Sequence, residues 1–573
     1  MRMRTLLAGL LLAGAATALA DAKPDIAITV ELDGEPLKDL RSSRAASGLG
    51  YAGCLAEIGG RRDMDGTYLD TFLRDPSGLA KTFKSSGAVL VKQWGANEAW
   101  RYSMFYQTLK TEADRKAFRA MYPNQSITDP KVLWKWRKDH GIRILLCFEV
   151  GGVRTDFLKA KDTDDIGTVK REMVRFVQWI VDNGFKDQVV GIELGNEPYF
   201  GDNPERNASR WAQIVPEIKR IFPEVDIGIP IAEYRAGDPD IAAVRARSTA
   251  VDKWFEGGSE FGFQRLNQWS GRFIVAFADS LKYCSHVIYH FYGGDAAYGC
   301  GAAGFGRIRS FAKVFPEIKD MKVWVTECRE RSDEDWRCQM MHSSTLFKAC
   351  YMMAAISQPE IDAICVHQLA QLSGGFLVAN GKGWWLQVDA LRHAIPDPDA
   401  DGQPRIEPGP AGPLFRLYNE ALLSHPIILK HGSNDLQGPK CGWSICNQYY
   451  GWHHKAVQWR REGVKNQHDF WNAEWIAAVD PQMKSVVLVC CNPREKVWKP
   501  TFAVPGCTLG KAKYRMFGCR PDAVFLHQVP GEPPPTWELE KTGPSDALEI
   551  PAYTVATVEI PITGGAPKKK GGR

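Results

Sequence analysis

The stretch VVGIELGNEPYF, residues 189–200, decides how the rest of this chain is read. A short apolar run closed by Gly and Pro has the character of a buried parallel strand. Pro198 holds the residue before it to extended geometry and offers no backbone N–H, so the strand is expected to end at Glu197. A carboxylate at the C-terminal tip of a strand means little on a surface hairpin. In an α/β barrel it means a great deal, because reacting groups gather at that end of the sheet.

Working outward, runs of the same kind recur at 48–58, 87–94, 142–150, 225–233, 284–292, 322–327 and 361–370. Amphipathic helical patterns lie between them, among them 168–184, 208–222 and 343–357. Eight strands in strict alternation with helices predict an α/β chain folded as a (β/α)8 TIM barrel over residues 47–424, rather than an open doubly wound sheet. Over residues 425–563 the pattern changes to short β-rich runs broken by Pro and Gly, such as SVVLVCCNP and ALEIPAYTVATVEIPI. These predict an all-β sandwich domain, to which the N-terminal segment 21–46 is expected to add strands. The Pro/Gly-rich stretch 393–413 reads as a long loop, and the basic end 564–573 as a disordered tail.

The first 20 residues combine MRMR, an apolar run and ALA before Asp21, the pattern of a cleaved export signal. No later run is long and apolar enough to span a bilayer, so an exported protein with no membrane insertion is expected. The formal charge of +5 falls to +3 without Arg2 and Arg4, too small and too dispersed for a nucleic-acid partner. Fourteen cysteines in an exported chain allow disulfides, Cys441 with Cys446 and Cys507 with Cys519 being the best candidates. Cys147, Cys284 and Cys365 sit in apolar runs and are expected as buried thiols. The histidines show no metal-binding spacing, and no strand is followed by a phosphate-binding glycine loop, so neither metal nor cofactor is expected.

Four of the expected strands end on or beside glutamate: Glu149, Glu197, Glu233 and Glu327. Two carboxylates facing each other across a barrel mouth suit cleavage of a glycosidic bond, which needs one to protonate the leaving oxygen and one to meet the anomeric carbon. ELGNEP on the fourth strand, YHFYGG on the sixth and VWVTE on the seventh resemble the corresponding strands of clan A retaining glycoside hydrolases. LEIPAYTVATVEIP is similar to the last strands of the sandwich that accompanies the barrel in the β-glucuronidase/heparanase, β-xylosidase/iduronidase and arabinofuranosidase groups. The resemblance implies Glu197 as general acid/base and Glu327 as nucleophile. It also implies Asn196 on the neighbouring sugar hydroxyl and Tyr292 as donor to Glu327, with His290 either beside them or a satisfied interior histidine.

Departures from the clan pattern are equally specific. The eighth strand ends in His367 and Gln368, where the clan often has a Trp under the sugar. The second carries Lys92 and Trp94, where many members have an Arg supporting the nucleophile; Lys92 either takes that role or pairs with interior Glu193. Glu149 and Glu233 are candidates for the pocket wall, and Glu330 is a rival nucleophile. Arg154, Arg235 and Arg329, just past strand ends, could clamp a uronic acid or a sulfate ester, or be solvated loop charges. The expected function is an exported retaining glycosidase acting on a carbohydrate substrate. A transglycosylase with the same glutamates and a non-catalytic carbohydrate-binding protein of the same fold are the alternatives.

Overall fold

The structure is a computed structural model. It describes residues 26–42, 49–52, 77, 80, 83, 84, 87, 90–93, 95–121, 129–150, 166–200, 202–232, 241–249, 263–293, 309, 311–330, 342–367, 371–374, 384–387, 391–393, 406–408, 412–433, 473–494, 496–519 and 537–565. The expected export signal (residues 1–20), residues 566–573 of the expected tail, and Cys441 and Cys446 lie outside these residues, whereas Gly564, expected in the tail, ends a strand.

Eight parallel strands close into a barrel. They are β1 (Leu49–Ala52), β2 (Leu90–Gln93), β3 (Arg143–Phe148) and β4 (Val189–Leu194). The others are β5 (Asp226–Ile231), β6 (His286–Gly293), β7 (Lys322–Glu330) and β8 (Ile361–His367), and β8 pairs back onto β1. Helices on the outside cover them with apolar stripes. Ile166–Asp182 buries Val169, Met173, Phe176, Val177 and Ile180, three and four residues apart as one helix face requires. Pro204–Ile221 starts where its sequence says it should: the Asn203 side chain accepts from Arg206 N–H and Pro204 fills the first turn.

The barrel is filled in layers. Leu90, Leu145, Val190, Ile288, Trp324, Ala363 and Cys365 form an apolar floor inside it. Trp324 is the largest of these, and it fits because β4 and β5 present glycine to it. A Cβ on Gly191 would stand 2.0 Å from the indole and one on Gly228 3.0 Å from it. One strand period higher, Lys92 follows Leu90 and His290 follows Ile288 on the same inward faces, so the next layer is polar.

Two strands depart from strict alternation. On β4, Ile144 of β3 lies opposite Val189 and Leu145 opposite Gly191, so Val190 is an extra residue and both it and Gly191 face inward. On β7, Tyr289 pairs with Val325 but His290 with Glu327, so Thr326 is extra. Trp324 faces in, Val325 out and Cys328 out, while Thr326 and Glu327 both reach the interior Lys92. A bulge re-aims the chain in this way. Without it, period-two alternation would turn Glu327 to the helix side.

The second sheet has eight strands. Its path runs Lys38–Asp39, Ile427–Ser433, Glu474–Val479, Ser485–Asn492, Thr554–Gly564, Ala512–Gly518 and Trp537–Gly543, with Thr508–Leu509 on Thr554–Gly564. Every pairing in it is antiparallel. Ala27–Thr29 and Thr501–Ala503 pair in parallel beside it, and Ile28, Val30 and Leu32 pack into a core with Trp475, Leu488, Tyr514 and Val558. The other face of the sheet joins the barrel core through Ile476, Val487, Val489, Phe517 and Val555, against the helices His342–Ile356 and Gly412–Ser424.

Four expectations need correcting. β4 ends at Leu194 rather than Glu197, because Gly195 turns the chain at φ 101°. Part of the expected loop 393–413 is a ribbon, Leu391–His393 paired with Ile406–Pro408. Cys507 and Cys519 are free thiols, Cys507 Sγ donating to the Gly565 carbonyl at 2.9 Å while Cys519 is buried. Cys147 and Cys365 are buried free thiols, and Cys284 is a partly exposed one. Among the described residues no helix is long and apolar enough to cross a membrane.

Candidate active site

Lys92 is the centre of the polar layer, and it is fully buried. Its Nζ lies 3.0 Å from Glu193 Oε1, 2.9 Å from Asn196 Oδ1 and 2.9 Å from Glu327 Oε1. Three N–H bonds thus meet three oxygens from β4, the turn after it and β7. Burial alone would neutralise the amine, but Glu193 and Glu327 outweigh it, and the pKa is raised rather than lowered. Lys92 thus contacts both of the partners considered for it, Glu193 and Glu327.

His290 links the two glutamates. Its Nδ1 is 3.0 Å from Glu197 Oε1 and 3.6 Å from Glu327 Oε2; its Nε2 is 3.0 Å from Lys92 Nζ and 3.4 Å from Glu193 Oε1. Burial lowers the imidazole pKa and the Lys92 ammonium adds to that, but Glu327, Glu193 and Glu197 together bring it up to about 9. Nδ1 faces the Glu197 carboxylate, and Nε2 lies between the Lys92 ammonium and Glu193.

Glu197 is partly exposed at the mouth while Glu327 is buried. One carboxylate oxygen of each, and a ring nitrogen of His290, lie within 4.8 Å of one another. Three such groups could bracket a metal ion, a possibility the histidine spacing did not raise. The Lys92 ammonium already stands 2.9 Å from one of the three and would repel a divalent ion there.

The segment that aims Glu197 is strained. Glu197 has φ 50°, in the left-handed region that a glutamate before proline avoids. Several contacts hold it. Glu149 Oε1 accepts from Asn196 N–H at 2.8 Å, and the Asn97 side chain donates to the Glu149 carbonyl and accepts from its N–H, each at 3.0 Å. The turn Pro198–Phe200 closes with Phe200 N–H on the Glu197 carbonyl, and Tyr199 O–H donates to Glu197 Oε1 at 3.3 Å. Burial, then the charges of Glu197, Glu327 and Glu193, raise the Tyr199 pKa well above that of a free phenol, so it remains a donor.

Of the residues named from the sequence, Glu197, Glu327, Asn196, His290 and Glu149 come together here, with Lys92 and Glu193. Glu149 is engaged with the turn. Tyr292, Arg329 and His367 lie on β6, β7 and β8, but their side chains are outside the described residues, as is that of Glu330. Trp94, Arg154, Glu233, Arg235 and Gln368 are outside them altogether. Sequence reading passed over Asn97 and Tyr199. Tyr199 stood in the opening motif two residues past Glu197; Asn97 carried no signal, being a helix residue that becomes relevant once β2 and β3 are neighbours.

No family model matches this sequence, and no curated protein does. The fold does have relatives among solved structures. An α-L-arabinofuranosidase from Thermotoga maritima, solved with arabinose, superposes with TM-score 0.56 at 12% identity over 94% of this chain and 100% of its own. AbfB, a family 51 α-L-arabinofuranosidase from Bifidobacterium longum, gives 0.52 at 12% identity over 94% and 100%. A BuGH86 variant in complex with neoagarooctaose gives 0.50 at 11% identity over 94% and 79%. The chain has the barrel-plus-sandwich fold of these clan A glycoside hydrolases.

Proposed function

We propose that this chain is an exported retaining glycosidase, acting on a polysaccharide, oligosaccharide or glycoconjugate. One observation carries the reading: Glu197 and Glu327 bring carboxylate oxygens within 4.8 Å of each other across the barrel mouth. So close an approach of one oxygen from each suits a retaining pair, whose carboxyl groups stand about 5–5.5 Å apart, better than an inverting pair, which leaves roughly 6.5–9.5 Å for a water.

The residues divide the work by their contacts. His290 and Tyr199 both donate to Oε1 of Glu197, which leaves Oε2 to carry the transferable proton. Glu327 attacks the anomeric carbon as the bond to the leaving oxygen breaks and that oxygen takes the Glu197 proton. Water then attacks the same carbon, its proton passes to Glu197, and the ester to Glu327 opens. Lys92 keeps Glu327 ionised and oriented before the attack. Asn196, held by Lys92 and Glu149, is placed to meet the neighbouring sugar hydroxyl.

The deciding experiment is NMR of the first-formed product from an aryl glycoside. Retention of configuration is expected, with Glu327→Gln inactive and Glu197→Ala recovering turnover of activated aryl substrates with azide. An inverted product refutes the reading. The panel should set aryl uronides beside neutral glycosides, because Arg154 and Arg235 follow expected strand ends and Arg329, expected past the seventh strand, stands instead within the last residues of β7, all at the end of the barrel where an acidic sugar would be met. Export is tested by finding the mature chain, starting near Asp21, outside the cytoplasm.

A further inference from the structure

Next to the acid/base, two aromatic neighbours have opposite environments. Tyr199 is buried at 6% exposure, and Phe200 is 44% exposed. Phe200 is nevertheless fixed at its base. Its N–H closes the turn onto the Glu197 carbonyl at 3.1 Å, and Asp202 N–H does the same onto Pro198 at 2.9 Å. The Tyr199 ring meets Phe200 edge-on at 4.8 Å and is itself set against buried Trp269, whose indole N–H donates to the Asp202 carbonyl at 2.8 Å. Other large apolar side chains are exposed, among them Leu37, Val132 and Trp537. Those three lie far along the chain from the two glutamates, whereas Phe200 is three residues past Glu197.

We propose that Phe200 is the platform for the sugar that leaves, and that the bond cut is therefore a sugar–sugar linkage. This rests on the glycosidase reading. If Glu327 attacks the anomeric carbon and Glu197 meets the departing oxygen, the segment just beyond Glu197 flanks the departing group and not the sugar that stays on the enzyme. A phenyl ring there offers an apolar face without a hydrogen-bonding group. That face complements the C–H face of a sugar ring, while the ring's hydroxyls stay in water. A small alcohol as leaving group would bury too little to use it.

The test compares two substrates of one donor sugar: an oligosaccharide, and the glycosyl fluoride, whose leaving atom carries no ring. Arabino-, agaro-, xylo- and cello-oligosaccharides and the matching fluorides are screened first with the unaltered enzyme. On the pair it cleaves, Phe200→Ala is expected to lower kcat/KM for the oligosaccharide about ten-fold. The fluoride should change by less than about two-fold, an effect below 0.5 kcal/mol in size. Phe200→Trp should retain the oligosaccharide activity. In addition, the Ala variant should divert less of the glycosyl-enzyme from water to an added sugar acceptor. Equal loss on both substrates, or an equal loss on the matching methyl glycoside, whose leaving oxygen needs the Glu197 proton but carries no ring, would mean a structural role, and no loss on any of them would mean no platform; each overturns the inference. An unaltered enzyme that cleaves no aryl glycoside, fluoride or oligosaccharide, those of uronic acids included, removes the glycosidase reading and this inference with it. One that cleaves fluorides well but no oligosaccharide removes the inference alone.

Discussion

At the scale of single residues, the proposed function makes Lys92 couple stability and chemistry. Removing it leaves Glu193 fully buried without its ammonium, and breaking a buried pair from one side costs about 3–5 kcal/mol. Lys92→Met should therefore melt much earlier than the parent or fail to fold. Adding Glu193→Gln should restore most of the melting temperature yet leave the enzyme inactive, since Glu327 still lacks its counter-charge. Recovery of activity with stability would refute the role given to Lys92. His290 makes a pH-dependent contribution. Its folded pKa of about 9 stands above the ordinary 6.5, so its stabilisation is complete below pH 6.5 and is lost as pH rises through about 9. The groups facing it are Glu193, Glu197, Glu327 and Lys92. Melting curves should show the margin of the parent over His290→Gln constant under mildly acid conditions and shrinking across that window. A margin that grows with pH would reverse the assignment.

At the scale of elements, the barrel floor makes the sharpest prediction. Gly191→Ala places a methyl group 2.0 Å from the Trp324 indole, and the ring is also held by stacking on His286. Overpacking of this kind costs about 1–3 kcal/mol, and Trp324→Leu should relieve it, making the double variant more stable than the sum of the single changes. Strict additivity would place the indole elsewhere. The same floor shows what was legible beforehand. The eight barrel strands could be located from apolar runs and turn residues, because burial on both faces leaves that trace in the sequence. Which side chains enter the barrel was not legible on β4 and β7. Each carries one extra residue, Val190 and Thr326, whose presence depends on the neighbouring strands. Glu327 could thus be named from its motif but not oriented by counting. Likewise Glu197 was expected as an extended residue, and the turn at Gly195 places it in a left-handed one instead.

At the scale of the whole molecule, barrel and sandwich share one core. Leu414, Phe415 and Tyr418 of the helix Gly412–Ser424 lie in the same cluster as Val487, Val489, Phe517 and Val555 of the sheet. A fragment ending at Ser424 would open that cluster to water, so it should be insoluble. A soluble and fully active fragment would show the sandwich to be dispensable. The sandwich also has a consequence in time. Thr501 N–H and its hydroxyl both bond the Ile26 carbonyl, 475 residues back along the chain. At synthesis rates of about 5–20 residues per second, the N-terminal strand waits roughly half a minute to a minute and a half before its partner exists. During that interval Ile28, Val30 and Leu32 have no completed core to enter. This strand is thus held until the segment around Thr501 has been made, and anything that slows the ribosome between them lengthens the period in which the apolar segment needs protection.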